Sequence, residues 1–231
     1  MNRLECIKSM VSKCNTAADI GTDHGYIAEM LLHDNTAKKV IASDINKGPL
    51  NRAIKYLTSK NLNCYCDFRL GSGLKVLNKE EAEAIIIAGM GGELISNILE
   101  ESKDISSSTY QLILQPMTAV DKLRRYLYNN NFKIIDEDIV KEQQHYYFII
   151  KAEPGFSIIE DEIYYEFSKI LIGNNNQIMK NYIIKVLQTN NKIIRNLELT
   201  NNSSYKEKIN ILKNKNNKIM ELINNETKFN S

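Results

Sequence analysis

A chain of 231 residues with 30 Lys+Arg against 28 Asp+Glu carries a formal charge of only +2, and its 43% hydrophobic and 25% charged content are those of an ordinary globular protein. This excludes a collagen-like, disulfide-scaffold or wholly disordered chain, and no apolar run approaches the ~20 residues needed to span a bilayer. The opening MNRLECIKSMVSKC places charges where a signal peptide needs an apolar stretch, so a cytoplasmic protein without membrane association is expected. Cys6, Cys14 and Cys64-x-Cys66 match neither a zinc spacing nor a C-x-x-C redox pair; they are expected to be buried thiols, with no metal. With so little net charge, any nucleic-acid binding must come from a local basic patch.

In chain order, Thr16–Ile20, Lys39–Ile45, Cys64–Leu70, Ala84–Ala88 and Tyr110–Gln115 read as strands, β-branched or continuously apolar as in strands covered on both faces. Helical patterns lie between them: His24–Leu32, a helix opening at Gly48-Pro49, Glu93–Glu100 and Val120–Tyr128. Such alternation predicts an α/β fold with a parallel sheet covered by helices on both faces. Phe132–Val140 and Tyr146–Ala152 then predict an antiparallel pair at one sheet edge. Glu153-Pro154-Gly155 reads as a linker, so domains are expected at 1–153 and 154–231. In the second, Met179, Tyr182, Val186, Thr189, Ile193 and Leu197 recur at helical spacing, as do Tyr205, Ile209, Leu212, Asn216, Ile219 and Ile223. A polar break at 200–204 between the two runs predicts an antiparallel, coiled-coil-like helical hairpin, either a packing element or an arm for a large substrate.

Ligands of an open parallel sheet bind beyond the carboxyl ends of its strands, where strand order reverses. The first such loop is Asp19-Ile20-Gly21-Thr22-Asp23-His24-Gly25-Tyr26. Its glycines allow close backbone approach, but Asp23 stands where a dinucleotide fingerprint needs its second Gly. A carboxylate there repels a pyrophosphate and suits a ligand with a cationic end, such as the ammonium and sulfonium of S-adenosylmethionine. The second loop carries Asp44-Ile45, whose acid suits ribose hydroxyls and can also cap the next helix. Gly71-Ser72-Gly73-Leu74 suits an adenine ring. Ala88-Gly89-Met90-Gly91-Gly92 and Gln115-Pro116 bring backbone close to substrate without a nucleophile or general base.

Together ADIGTDHGY, ASDINKGPL, GSGL, IIIAGMGGELISNIL, LILQPM and KAEPG, in this order, resemble the bacterial tRNA adenine-N1 methyltransferases that modify adenosine 22 of the D-arm. The resemblance covers residues 2–152 and implies a Rossmann-like class I methyltransferase domain, mostly parallel with an antiparallel edge pair, followed by a helical domain. It implies that Asp19, Gly21, Thr22, Asp23, His24, Gly25 and Tyr26 line the methionine part of S-adenosylmethionine, that Asp44 and Ile45 meet the ribose, and that Gly71, Ser72, Gly73 and Leu74 meet the adenine. Ala88, Gly89 and Met90 would complete the cofactor site, and Gly91, Gly92, Gln115 and Pro116 would face the incoming base. Arg3, from an N-terminal Arg-Leu pair, would reach the RNA backbone. Ser72 stands where many methyltransferases carry Asp, and Met117 replaces a polar residue of relatives.

Adenine N1 has a free lone pair, so methylation there needs positioning more than proton transfer. Asp23 is assigned to electrostatic stabilisation of the cationic product and His24 to positioning. Lys206, Lys208 and Lys213, within the concentrated basic stretch of the tail, are candidate tRNA phosphate contacts. The partner expected is tRNA, met by a monomer. A methyltransferase of another acceptor, or a non-catalytic RNA- or adenosylmethionine-binding module, are the alternatives.

Overall fold

The computed structural model describes residues 1–200 and 202–229, with the backbone alone at 203 and 224–229. It divides into two compact units, Met1–Glu160 and Asp161–Ser231. The boundary read from the sequence, Glu153/Pro154, falls at the end of the last strand, and the first unit continues to Glu160.

The first unit runs α1 (Arg3–Met10), β1 (Cys14–Ile20), α2 (Tyr26–His33), β2 (Ala37–Asp44), α3 (Lys47–Ser59), β3 (Cys66–Leu70), β4 (Ala84–Met90), α4 (Gly92–Glu101), α5 (Lys103–Ser106), β5 (Gln111–Pro116), α6 (Val120–Asn129), β6 (Phe132–Glu142) and β7 (His145–Pro154). Its seven strands are ordered β3-β2-β1-β4-β5-β7-β6. The first five are parallel, and β7 inserts antiparallel between β5 and β6. Consecutive connections leave β1 toward β2 and β3, and then return across it to β4 and β5, so strand order reverses between β1 and β4. Ile85, Ile86 and Ile87 of β4 are all buried because helices cover both faces of the sheet. Each contributes roughly 1.5–3 kcal/mol of apolar burial.

Three features were not expected from the sequence. Helix α1 is held by a capping box, in which the Asn2 side chain accepts from the Glu5 N–H at 2.9 Å and Glu5 accepts from the Asn2 N–H at 2.8 Å. It buries Cys6, Ile7 and Met10. Arg124 of α6 is buried against Glu137 of β6, Nε to Oε1 2.8 Å, with its guanidinium over the Phe148 ring. This ties α6 to the hairpin, and loss of one partner would strand the other charge in the core. Cys64, expected to be buried, is exposed, because a single 3₁₀ turn at Asn63–Tyr65 precedes β3.

The second unit is helical: α7 (Ile163–Glu166), α8 (Lys169–Gly173), α9 (Gln177–Leu199) and α10 (Lys206–Phe229). Helices α9 and α10 pair antiparallel, as Asn190 meets Asn216 and, further along α9 but earlier in α10, Glu198 meets Lys213. On α9 the buried face carries Met179, Ile183, Asn190 and Ile194. Thr189 and Ile193, expected on the seam, are exposed. The seam rotates one residue so that the Asn190 amide can donate to Asn216 at 2.8 Å while Asn216 donates to Asn191 at 2.9 Å. Among the described residues no helix is long and apolar enough to cross a membrane, and no cluster of His, Cys, Asp or Glu could hold a metal ion.

Candidate functional site

A cleft of about 670 Å³ opens at the carboxyl ends of β1, β2, β3 and β4, beside the point where strand order reverses. Its floor is set by two strands meeting without side-chain bulk. Gly21 adopts φ +78°, a left-handed conformation that favours glycine, and a Cβ there would lie 2.4 Å from Met90 Cε, so the tip of that flexible side chain would have to move. The N–H groups of Gly21 and Thr22 both donate to the Ser43 carbonyl at 2.9 Å, which joins this loop to β2.

Asp19 is buried on the cleft floor and accepts a hydrogen bond from the Thr22 hydroxyl at 2.7 Å. Burial pushes its carboxyl up to about 6; nearby Asp44 acts in the same direction, and the Thr22 bond opposes both. Asp44 ends β2, and its Oδ1 accepts the Asn46 N–H at 2.8 Å, which initiates α3 and leaves Oδ2 for another partner. The neighbouring Ser43 hydroxyl is buried without a hydrogen-bond partner. The Gly71–Leu74 turn is anchored to β2 by Gly71 N–H to the Asp44 carbonyl, 3.0 Å, and Gly73 packs on Ile98 of α4. Behind it Arg69 binds both oxygens of Glu81 (2.6 and 2.8 Å) and the Val76 carbonyl (2.7 Å). That bond from Arg69 holds the Glu81 carboxyl down to about 2.

At the rim, Asp23 occupies the left-handed region (φ +46°) and is ion-paired with Arg52 of α3, while His24 Nε2 lies 3.5 Å from its other oxygen. The His24 ring stacks on Tyr26 (centroids 5.3 Å, interplanar angle 8°), which meets Tyr56 edge-on at 5.0 Å. The Asp23 charge is therefore already shared with a cation, a partner the sequence did not reveal.

Across the cleft, the β4–β5 ladder is irregular at Ala88/Met90, where Gly89 adopts φ +78° and a Cβ would meet nothing within 4 Å. The Gly89 N–H donates instead to the Gln115 side-chain oxygen at 3.1 Å. That oxygen also accepts from Arg3 Nη1 at 3.3 Å, and the Gln115 amide nitrogen donates to the Pro116 carbonyl at 3.0 Å. Arg3 further contacts Met117 Sδ at 3.1 Å and lies over the Tyr147 ring at 5.2 Å. These contacts hold the half-buried Arg3 side chain on the cleft wall; the sequence expected it at the RNA backbone.

Of the residues expected at the cofactor site, Asp19, Gly21, Thr22, Asp23, His24, Tyr26, Asp44, Ile45, the Gly71–Leu74 turn, Ala88, Gly89 and Met90 all line this one cleft, as do Arg3 and Gln115. Gly25, Gly91, Gly92 and Pro116 do not line it. Gly25 caps α2 at φ +75° against Ala53 and Leu57. Gly92 donates to the Thr118 carbonyl at 2.8 Å, and a Cβ there would sit 2.3 Å from the Ala119 oxygen, so its missing side chain serves the packing of α4 on that turn. Lys206, Lys208 and Lys213 lie on α10 of the second unit, with Lys213 paired to Glu198 at 2.8 Å. Sequence reasoning missed Leu4 and Ile7 of α1 and Leu94, Asn97 and Ile98 of α4. The Asn2-x-x-Glu5 capping pattern was the available signal for the first two.

Charged groups of the cleft are the carboxylates of Asp19, Asp23, Asp44 and Glu101 against the cations Arg3 and Lys75, the last paired with Glu101 at 2.6 Å. Such a lining disfavours phosphates and fits a ligand with ribose hydroxyls and a cationic end, with Asp19, Asp44 and the orphaned Ser43 hydroxyl as polar groups to meet it.

Comparison with known proteins agrees with this geometry. A family model described as a methyltransferase domain matches residues 1–150. The tRNA (adenine(22)-N(1))-methyltransferase of Bacillus subtilis is 38% identical over 153 residues, 66% of this chain and 64% of that relative, so the match spans under two thirds of the relative's length. The crystal structure of the B. subtilis m1A22 tRNA methyltransferase TrmK superposes with TM-score 0.86 at 30% identity, covering 96% of this chain and 97% of that one. The M. capricolum TrmK structure, in complex with the cofactor product S-adenosyl-homocysteine, gives TM-score 0.84 at 27% identity over 97% of both chains. A cleft of this charge at the strand reversal, with matches along nearly the whole chain, places the protein in the tRNA (adenine(22)-N1)-methyltransferase family.

Proposed function

We propose that this protein methylates N1 of adenine 22 in the D-arm of tRNA, using S-adenosylmethionine. The observation that carries the reading is the carboxylate-lined cleft beside the open space over Gly89. Asp19 and the Asp23 loop would hold the cationic methionine end, Asp44 Oδ2 the ribose, and the Gly71–Leu74 turn with Ile45 and Ile98 the adenine. When bound, the cofactor supplies an electrophilic methyl on a sulfonium, which the N1 lone pair can take up without prior deprotonation.

The chain's own residues then have three tasks. Gly89, with no side chain, leaves room for the planar base next to the cleft floor. Gln115 fixes the bulge that creates this room and holds Arg3 across it. Asp23 and Asp19 place negative charge where the adenine becomes cationic, a preorganised electrostatic contribution. No residue is required to act as general base. Adenine N1 is occupied in a Watson–Crick pair, so the base must be unpaired or turned out, at a cost of a few kcal/mol. The α9–α10 hairpin, read as a coiled-coil-like arm, would grip the tRNA during that step through Lys206, Lys208 and Lys213. The enzyme would act as a monomer, in the cytoplasm with its tRNA.

Incubation with labelled S-adenosylmethionine and unmodified tRNA transcripts, followed by nucleoside mass spectrometry, tests the reading. The expected product is 1-methyladenosine, abolished when the D-arm adenosine is changed. Cofactor binding with no tRNA methylation would point to another acceptor or a non-catalytic binder.

A further inference from the structure

From Arg3 on the cleft wall a row of aromatic rings leads outward, and the proposed chemistry does not use those rings. Arg3 lines the cleft and lies 5.2 Å from the Tyr147 ring centroid. Tyr147 in turn faces the His145 ring, with centroids 6.3 Å apart and 31° between planes. The two rings are two residues apart on β7 and therefore share one face of the hairpin. His145 is exposed at the hairpin tip, so the row runs from the cleft wall to solvent. At its inner end, Arg3 Nε is buried without a hydrogen-bond partner, although Nη1 is engaged by Gln115 and Met117. Glu142 is the acid alongside, and it accepts the Arg3 backbone N–H at 2.7 Å. On the opposite face of the tip, Lys141 Nζ lies 5.7 Å from the Tyr146 ring centroid and adds positive charge.

Aromatic faces next to a guanidinium, reached from solvent and beside a methyl-transfer cleft, are the chemistry that holds unpaired nucleobases by stacking. We infer that Tyr147 and His145 form a stacking platform for an unpaired RNA base neighbouring the target adenosine, beside the Arg3 guanidinium. The inference rests on the tRNA reading above. It assigns tRNA contact to the β6–β7 hairpin tip of the first unit. Stacking on a protruding ring would hold the opened D-arm while the target base is in the cleft.

The full chain is tested with Tyr147→Ala, His145→Ala and Tyr147→Phe. Labelled unmodified tRNA transcript is titrated by fluorescence anisotropy, and 2-aminopurine placed beside adenosine 22 reports stacking by quenching. The alanine variants are expected to bind about five- to a hundredfold more weakly, the range for losing one base–aromatic stack, and to lose the quenching. Tyr147→Phe keeps the ring and should stay within about twofold of the parent. Cofactor affinity by calorimetry and the melting temperature should be unchanged in all three. Parent-like binding by both alanine variants overturns the inference. So does a parallel loss of cofactor affinity or folding, or a Tyr147→Phe variant as weak as Tyr147→Ala. Failure of the tRNA reading is seen separately, in a parent protein that transfers no methyl group to tRNA. In that event a single-stranded RNA oligonucleotide replaces the transcript, and equal affinity of parent and Tyr147→Ala overturns the platform.

Discussion

Arg3 and Gln115, 112 positions apart, share a hydrogen bond of 3.3 Å that closes one wall of the cleft. The same Gln115 oxygen accepts the Gly89 N–H at 3.1 Å, so one buried amide organises both the bulge at the end of β4 and the N-terminal helix. Gln115→Ala leaves the Gly89 N–H and the Arg3 guanidinium without this acceptor, at a cost of about 1–3 kcal/mol. Chemical denaturation should show that loss, and steady-state methyl transfer should show kcat falling more than cofactor affinity. Parent-like kcat would remove Gln115 from the positioning of the site.

Asp19 links pH to both stability and ligand binding. Its folded pKa is raised from 3.8 to about 6, so its stabilising contribution is complete below about pH 4 and is lost as pH rises through 6. On the order of 2–3 kcal/mol is involved, and Asp19→Asn should flatten the stability profile of the unliganded protein between pH 4 and 6. Cofactor affinity should run the other way, strengthening from pH 5 to 7 as the carboxylate ionises, and the variant should bind weakly without that dependence. Calorimetric titration across this range checks both signs.

The Asp23–Arg52 ion pair joins the first loop to α3 at the cleft rim. Because both side chains are about half exposed, the effect of breaking it is small. Arg52→Gln is expected to tighten cofactor binding about two- to fivefold by releasing the Asp23 charge, whereas Asp23→Asn weakens binding and lowers kcat. Equal and unchanged affinities in both variants would show that the Asp23 charge does not act on the ligand.

Gly92 provides a packing test. An alanine Cβ would sit 2.3 Å from the Ala119 carbonyl oxygen, a backbone atom that cannot swing aside. Gly92→Ala should cost about 1–3 kcal/mol, as overpacking does, and displace the start of α4. A drop in melting temperature accompanied by weaker cofactor binding is expected, since Ile98 of the same helix lines the cleft.

In the second unit, the pair of buried Asn190 and half-buried Asn216 specifies how α9 and α10 align. Replacing both with Leu should raise thermal stability while allowing shifted or intermolecular pairing, visible as concentration-dependent species in size-exclusion chromatography. Asn190→Ala alone should lower stability by about 1–2 kcal/mol, because the Asn216 side-chain oxygen then loses its donor while its amide nitrogen stays bonded to Asn191.

Strand and helix alternation, the order of the loops and the acids at their ends were legible in local pattern. Apolar β-branched runs such as Ala84–Ala88 read as strands buried on two faces, and Asp19, Asp44 and the Gly71–Leu74 turn stand at or just beyond the ends of strands. Those features depend on neighbours a few residues away. Tertiary structure alone decided what depends on distant contacts: that Arg52 neutralises Asp23, that Gly92 is small for Ala119 rather than for a substrate, and that Arg3 is held by Gln115 and Tyr147. It also decided the seam of α9, since helical periodicity put Thr189 on the apolar face, whereas the structure buries Asn190 against the Asn216 side-chain oxygen across the hairpin. Local pattern fixes where chain elements end because each hydrogen-bonding and apolar preference is short-ranged. The partner of a charge or an amide is set by which elements the fold brings together, and that is a property of the packed chain.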